Sequence, residues 1–236
     1  MEPWKLQPAR DLGLTLRKRL QSVHRESGLI PWLVHLGCWS ILHLGFRLFH
    51  RLAIEGREFI PNSGSFVLAS NHSSHLDALV LASCLPWRLR ATVYPIAAGD
   101  TFFQKAVTAA MSAVFINALP MWRKSAVSHS LADLRSRLAG ELCAYVIFPE
   151  GTRSRDGSMS PFKAGLGMLL AGTPIPVVPC RLWGTFDAMP PGRRWPRPGR
   201  IRIKIGPPLS FPQTSNDRQG WNDIAREVES AVRSLS

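Results

Sequence analysis

The sequence predicts an α/β fold: a central mixed, mostly parallel sheet flanked by helices, with an N-terminal helical membrane-associating segment. Three observations carry that expectation. From about Ile54 onward, short and nearly continuous apolar runs, the pattern of strands buried on both faces, alternate with stretches of helical character. Before them, Leu29 to Phe46 contains no formally charged residue. Hydrophobic residues make up 45% of the chain and charged residues 19%, an ordinary balance for a chain that buries a core. At 236 residues, against a prior of ~150 per domain, one main domain plus a modest attachment is expected, divided as residues 1–53 and 54–236.

In chain order, Met1 to Arg25 sets Lys5, Arg10, Arg17, Lys18, Arg19 and Arg25 among leucines and reads as a basic amphipathic helix. Leu29 to Phe46, dominated by Trp32, Leu33, Leu36, Trp39, Ile41 and Leu42, is just long enough to be weighed as a span, but Pro31, Gly37, Gly45, His35 and His43 argue against a clean one. An interfacial or re-entrant helix fits better, with Trp at headgroup depth and flanking Arg drawn to anionic lipid. The competing reading is a buried core helix, because an apolar stripe more often faces protein than lipid. A cleaved signal peptide is disfavoured, since the apolar run starts late and lacks a small-residue cleavage site.

Strands are expected at Phe66 to Ala69, Thr92 to Ala97, Ala144 to Phe148, Ile175 to Pro179 and Ile201 to Ile205. Helices are expected at His75 to Cys84, Thr101 to Ala113, Ser125 to Ala139, Phe162 to Ala171 and from Asn222 to the C-terminus. Pro190 to Arg200 is a loop of Pro, Gly and Arg.

The charge balance points to an anionic partner. Lys and Arg number 29 against 16 Asp and Glu, a formal net charge of +13, and most of the basic residues are Arg, whose fork suits phosphate. Nucleic acid, anionic lipid and phosphorylated small molecules share that field, but no zinc-finger spacing or RNA-binding aromatic motif supports nucleic acid. Cys38, Cys84, Cys143 and Cys180 are scattered with no CxxC pair, as expected of reduced core thiols in a cytosol-facing compartment.

In a mostly parallel sheet, ligands gather beyond the carboxyl ends of strands. Two segments stand there: Asn71-His72-Ser73-Ser74-His75-Leu76-Asp77 after one strand, and Pro149-Glu150-Gly151-Thr152-Arg153-Ser154 after another. If the strands are parallel, both open on one edge. Five helical steps turn a side chain through ~500°, so His72 meets Asp77 only if it precedes the helix, with Ser74 as N-cap and Asp77 folding back to the ring. A carboxylate there would fix the imidazole tautomer and leave the other nitrogen to take a proton from a hydroxyl. The plainer alternative is that Asp77 bonds backbone alone and His72 is a surface loop residue. Zinc at His72-x-x-His75 lacks further ligands at a supporting spacing. In the second segment, Gly151 would let backbone N–H groups approach an anion, and Thr152 and Arg153 would add charge-assisted bonds of ~1.5–3 kcal/mol each. The alternative there is an ordinary turn with Glu150 paired to Arg153.

Together, NHSSHLD and FPEGTRS resemble the NHx4D and FPEGTR motifs of the phospholipid and glycerol acyltransferase family, the PlsC-like enzymes. The resemblance continues through Phe162-Lys163-Ala164-Gly165 and through Ile175 to Cys180, and covers about Ile54 to Ser210. The family's second motif is matched less closely, at Val114 to Arg123: Arg123 stands where an Arg contacts the acceptor phosphate, the expected Gly is absent, and Trp122 is bulky.

The resemblance implies that His72 deprotonates a glycerol hydroxyl, Asp77 orients it, and the hydroxyl attacks an acyl thioester directly. Glu150, Gly151, Thr152, Arg153, Lys163 and Arg123 would bind the phosphorylated acceptor. The implied donor is acyl-CoA or acyl-carrier protein and the implied acceptor 1-acylglycerol-3-phosphate, at the cytoplasmic face of a membrane, with no cofactor, metal or nucleic acid. Another lysophospholipid, or a lyso-aminolipid such as lyso-ornithine lipid, is the alternative acceptor. No G-x-S-x-G elbow and no Cys beside His72 offers a nucleophile for a covalent intermediate.

Overall fold

The structure, a computed structural model, describes residues 11–26, 29–122 and 127–235. Among them, the strands are β1 (Ala53–Glu55), β2 (Phe66–Ser70), β3 (Val93–Ala98), β4 (Leu119–Met121), β5 (Ala144–Ile147), β6 (Thr173–Trp183), β7 (Arg202–Ile205) and β8 (Leu209–Phe211). The helices are α1 (Leu16–Leu20), α2 (Leu29–Phe49), α3 (Leu76–Cys84), α4 (Gly99–Phe102), α5 (Ala106–Val114), α6 (Val127–Gly140), α7 (Gly165–Leu170), α8 (Thr185–Ala188) and α9 (Arg218–Ser234). The strands form one sheet in the order β1-β7-β6-β2-β5-β3-β4, with β8 also on β6. From β6 to β4 every neighbouring pair is parallel, while β7 and β8 run antiparallel to β6. The mixed, mostly parallel α/β sheet is thus as expected.

Alternation along the central strands divides the core into two layers. Phe66 and Leu68 of β2 pack with Trp39, Phe46, Val80 and Leu81 of α2 and α3. Val67 and Ala69 face the other way, onto Leu134, Leu138, Leu166, Leu170, Ile224 and Val228 of α6, α7 and α9. Both faces of β2 are buried along its whole length, which is why these strands read as continuous apolar runs.

Differences from the sequence expectations have local causes. The helix expected over Thr101 to Ala113 breaks between α4 and α5; Phe103 is fully buried there and its carbonyl accepts from Gln21 Nε2 at 2.7 Å. The last helix starts four residues early, because Asp217 caps it by accepting from Gly220 N at 2.8 Å. β6 runs past Pro179. The carbonyl of Pro179 accepts from Gly206 N, and the antiparallel neighbour changes there from β8 to β7, so the missing proline N–H falls at a seam with no ladder bond to lose.

The N-terminal expectations change most. Met1 to Arg10 lie outside the described residues, and of the basic helix expected up to Arg25 only α1 is helical. Arg25 is drawn into the body, donating to Asn117 Oδ1 at 3.2 Å and to the Ala118 carbonyl at 3.1 Å. In α2, Trp39 is 1% exposed and cannot sit at headgroup depth, whereas Trp32, Leu33, Ile41, Leu44, Leu48 and Phe49 face outward. No helix of the described residues is long and apolar enough to cross a membrane. The expected boundary at 53/54 falls inside β1, and α2 contributes Trp39 and Phe46 to the main core.

Candidate active site

β2 and β5 are parallel neighbours in register Phe66↔Ala144 to Ala69↔Ile147. Their carboxyl ends therefore deliver His72 and Glu150 to the same edge, although 78 positions separate the two residues in sequence. Asn71 anchors the first loop against β6: its Oδ1 accepts from Leu182 N at 2.8 Å and its Nδ2 donates to the Leu182 carbonyl at 3.0 Å, as one more rung of the sheet would.

His72 precedes the helix, and Asp77 folds back to it. Asp77 Oδ2 lies 2.8 Å from His72 Nδ1 and also accepts from Ser73 N at 2.6 Å and Ser74 N at 2.7 Å. One carboxylate oxygen thus organises the loop backbone and also meets the ring, which the backbone-alone reading does not allow. With Asp77 fully buried and acceptor-only when ionised, the proton belongs on Nδ1, which leaves Nε2 without one in the neutral ring. Helix α3 begins one residue later than expected. Ser74 Oγ accepts from Leu76 N at 3.2 Å and donates to the Met189 carbonyl at 2.7 Å, pinning the loop to the chain beyond α8.

The second loop is tied to the first through backbone. Glu150, 2% exposed, accepts from His72 N at 2.7 Å through Oε1 and from Ser160 N at 2.8 Å through Oε2. Ser154 N donates back to the His72 carbonyl at 2.8 Å. Burial pushes the Glu150 carboxyl above its ordinary range, against the pull of those two N–H donors. The Glu150 to Arg153 pairing considered from sequence does not form; both Glu150 oxygens serve backbone. The Phe148 ring stacks on His72 with centroids 4.0 Å apart and planes 15° apart, a contact that spacing in the sequence does not reveal.

The second loop is not arranged as the expected anion cradle. The N–H of Gly151 donates to the Phe148 carbonyl at 3.0 Å and so closes a turn. Glycine is favoured for another reason, its φ of +74°; a Cβ there would also lie 2.9 Å from Lys163 Nζ, the movable end of a flexible side chain. Lys163 is thereby brought over the loop, and its own N–H donates to the Pro149 carbonyl at 3.0 Å. Arg153 Nη1 is buried with no hydrogen-bond partner, and its charge acts on the neighbouring His75, whose pKa is lowered by burial first and then by Arg153. Thr152 is exposed at the rim. Arg123 lies outside the described residues. Just before it, the Trp122 ring covers Gly99 so closely that a Cβ there would come within 2.8 Å of it.

A family model described as Acyltransferase matches residues 51–183. The chain is 28% identical over 171 residues to 1-acyl-sn-glycerol-3-phosphate acyltransferase alpha of Mus musculus, covering 72% of this chain and 59% of that protein. It is 34% identical over 166 residues to the chloroplastic 1-acyl-sn-glycerol-3-phosphate acyltransferase BAT2 of Brassica napus, covering 68% and 46%. Among solved structures it resembles the 1-acyl-sn-glycerophosphate (LPA) acyltransferase PlsC of Thermotoga maritima, with a TM-score of 0.65 and 26% identity over 84% of this chain and 78% of that one. The chain spans less than two-thirds of the length of the curated relatives named here. Because the family match takes in more than half of the residues and encloses both loops described above, the chain belongs to the acyltransferase family.

Proposed function

We propose that the protein transfers a fatty acyl group from acyl-CoA or acyl-carrier protein to the free hydroxyl of 1-acylglycerol-3-phosphate, giving phosphatidic acid, at the surface of a membrane. The observation that carries this reading is the joining of an Asp-paired imidazole to the loop that bears Arg153, whose Nη1 is buried with no hydrogen-bond partner. His72 Nε2 takes the proton as the acceptor oxygen bonds to the thioester carbonyl carbon. When the C–S bond breaks, the imidazolium returns that proton to the departing thiolate. Asp77 stabilises the imidazolium between the two events, and no covalent enzyme intermediate forms. Arg153 and Lys163 hold the acceptor phosphate, while Glu150 holds the His72 backbone in place.

Membrane association finds support in the outward apolar residues of α2, from Trp32 to Phe49, bordered by Arg47 and Arg51. The names of the relatives favour the phosphate-bearing acceptor.

The test is turnover of purified protein with defined thioesters and a panel of lyso-acceptors, with and without a terminal phosphate, read by mass spectrometry. His72→Ala should lower turnover by ~10²–10⁴. Near-normal rates in that variant would remove His72 from the reaction, and equal use of acceptors lacking a terminal phosphate would reassign the acceptor.

A further inference from the structure

At the far end of α3 from His72, about 13 Å along a nine-residue helix, lies a cavity of about 260 Å³ that the proposed reaction does not use. It is lined by His43 of α2, Arg57, Ser83 and Cys84 of α3, Trp87 and Arg90, among others, and no Asp or Glu is in the lining. Arg90 is 7% exposed. Its guanidinium lies over the Trp87 ring at 5.1 Å, and its Nε is buried with no hydrogen-bond partner. Nδ1 of His43 is likewise buried and unpartnered, while the ring engages the Ser83 backbone. Arg57 is exposed beside them. Burial first, and then the Arg57 charge, lowers the pKa of Arg90; burial, with Arg90 and more weakly Arg57, does the same to His43.

A buried guanidinium N–H with no acceptor is costly, and here two cationic side chains share a cavity whose lining supplies no counter-charge. What relieves both conditions is an anion rich in acceptor oxygens. The end of a helix normally disfavours an anion, but the last turn of α3 is partly neutralised: the Val80 carbonyl accepts from Ser83 Oγ at 2.7 Å and from Cys84 Sγ at 3.1 Å, and the Ala82 carbonyl from Leu85 N at 3.3 Å. His43 Nδ1 serves such a ligand in either protonation state, as a donor when charged or as an acceptor of a phosphate O–H when neutral. The surroundings are apolar. Ile41 and Leu44 flank His43 in α2, exposed at 74% and 57%, and Trp87 is 57% exposed.

We propose that this cavity is a second phosphate-binding site, separate from the acceptor site, in which the charges of Arg57 and Arg90 hold a phosphate group against His43. The exposed Trp87 in its lining suits the phosphate of an anionic lipid headgroup; a free phosphate offers the same chemistry.

The two sources separate by observing Arg90 itself. In arginine Nε–Hε correlation spectra of the full chain, assigned through Arg90→Lys, inorganic phosphate should move the Arg90 signal saturably. The movement should persist in Arg153→Ala, which disables the acceptor site, and should require at least about tenfold more phosphate in Arg57→Glu, with Arg57→Lys close to wild type. Bicelles of phosphatidylcholine containing phosphatidic acid should saturate the signal at lower total phosphate than the inorganic ion does. The reverse ranking would assign the site to soluble phosphate. An Arg90 signal that ignores every probe, or moves equally in Arg57→Glu, overturns the site.

Discussion

Replacing Glu150 by Gln separates two roles that the sequence alone confuses. If Glu150 contacts the acceptor, the variant should raise the acceptor KM and leave folding untouched. The hydrogen bonds point to a different outcome. Each carboxylate oxygen accepts one backbone N–H, from His72 on one loop and Ser160 on the other, and an amide can accept only one of them while its NH2 opposes the other. One charge-assisted bond of ~1.5–3 kcal/mol is lost and a buried donor left unsatisfied at ~1–3 kcal/mol. Part of this is recovered, because burial already disfavours the ionised form. A net loss of about 2–3 kcal/mol corresponds to a fall in Tm of ~4–12 °C for a domain of this size. Because the backbone of His72 loses its anchor, kcat should fall as well, and a displacement of ~1 Å at a reacting group can cost ~10²-fold. The raised pKa also fixes a pH signature. The folded protein keeps the Glu150 proton after the unfolded chain has lost it, so stability declines as pH rises through the window just above the ordinary carboxylate range, and the Glu150→Gln variant lacks that step. Thermal melts across mildly acidic pH, with steady-state kinetics, test both parts. A raised acceptor KM with unchanged kcat and Tm would refute the reasoning and return Glu150 to the substrate.

The other predictions concern the acceptor, the packing and the membrane. Arg153→Ala should raise the acceptor KM by about 10- to 100-fold, the equivalent of one charge-assisted bond; an unchanged acceptor KM would exclude Arg153 from the site. At Gly167 a Cβ would lie 2.2 Å from the Trp221 carbonyl oxygen and 2.4 Å from its Cα, both backbone. Gly167→Ala must therefore push α7 and α9 apart at a cost of at least ~1–3 kcal/mol, visible as a lower urea midpoint, and an unaltered midpoint would contradict the packing. Replacing Ile41 and Leu48, both 74% exposed, with Asp should reduce flotation with anionic vesicles without lowering Tm. Full flotation of that variant would move the lipid contact off α2.

Much of the fold and site was legible because the relevant signals are local. The strand runs are continuous since both faces of β2 and β5 are covered, and the five-residue spacing from His72 to Asp77 restricts how a carboxylate can return to the ring. The three-residue strands β1, β4 and β8 escaped notice, being too short to show a period. Met1 to Arg25 reads as a helix because basic residues are set among leucines there. Tertiary bonds override that pattern: Arg137 Nη1 donates to the Val23 carbonyl and Arg25 to Asn117. Phe148 under His72 could have been suspected from its place at the end of β5, but stacking depends on the β2–β5 register, which no local pattern encodes.

The roles of Glu150 and Gly151 show why motif chemistry and loop architecture are hard to separate from residues alone. An acidic residue and a glycine at the end of a strand suggest ligand contact, because an exposed carboxylate binds donors and a glycine admits an anion. Here the carboxylate is directed inward by two N–H groups that have no strand to pair with, and the glycine N–H closes a turn on Phe148. Both residues make it possible for two loops from adjacent parallel strands to lie against each other without unsatisfied backbone. In the proposed reaction, Arg153, Lys163 and His72 Nε2 are then the groups that meet the substrate. The Glu150→Gln and Arg153→Ala variants should accordingly differ in kind: the first should reduce kcat and stability together, and the second should act on acceptor binding alone.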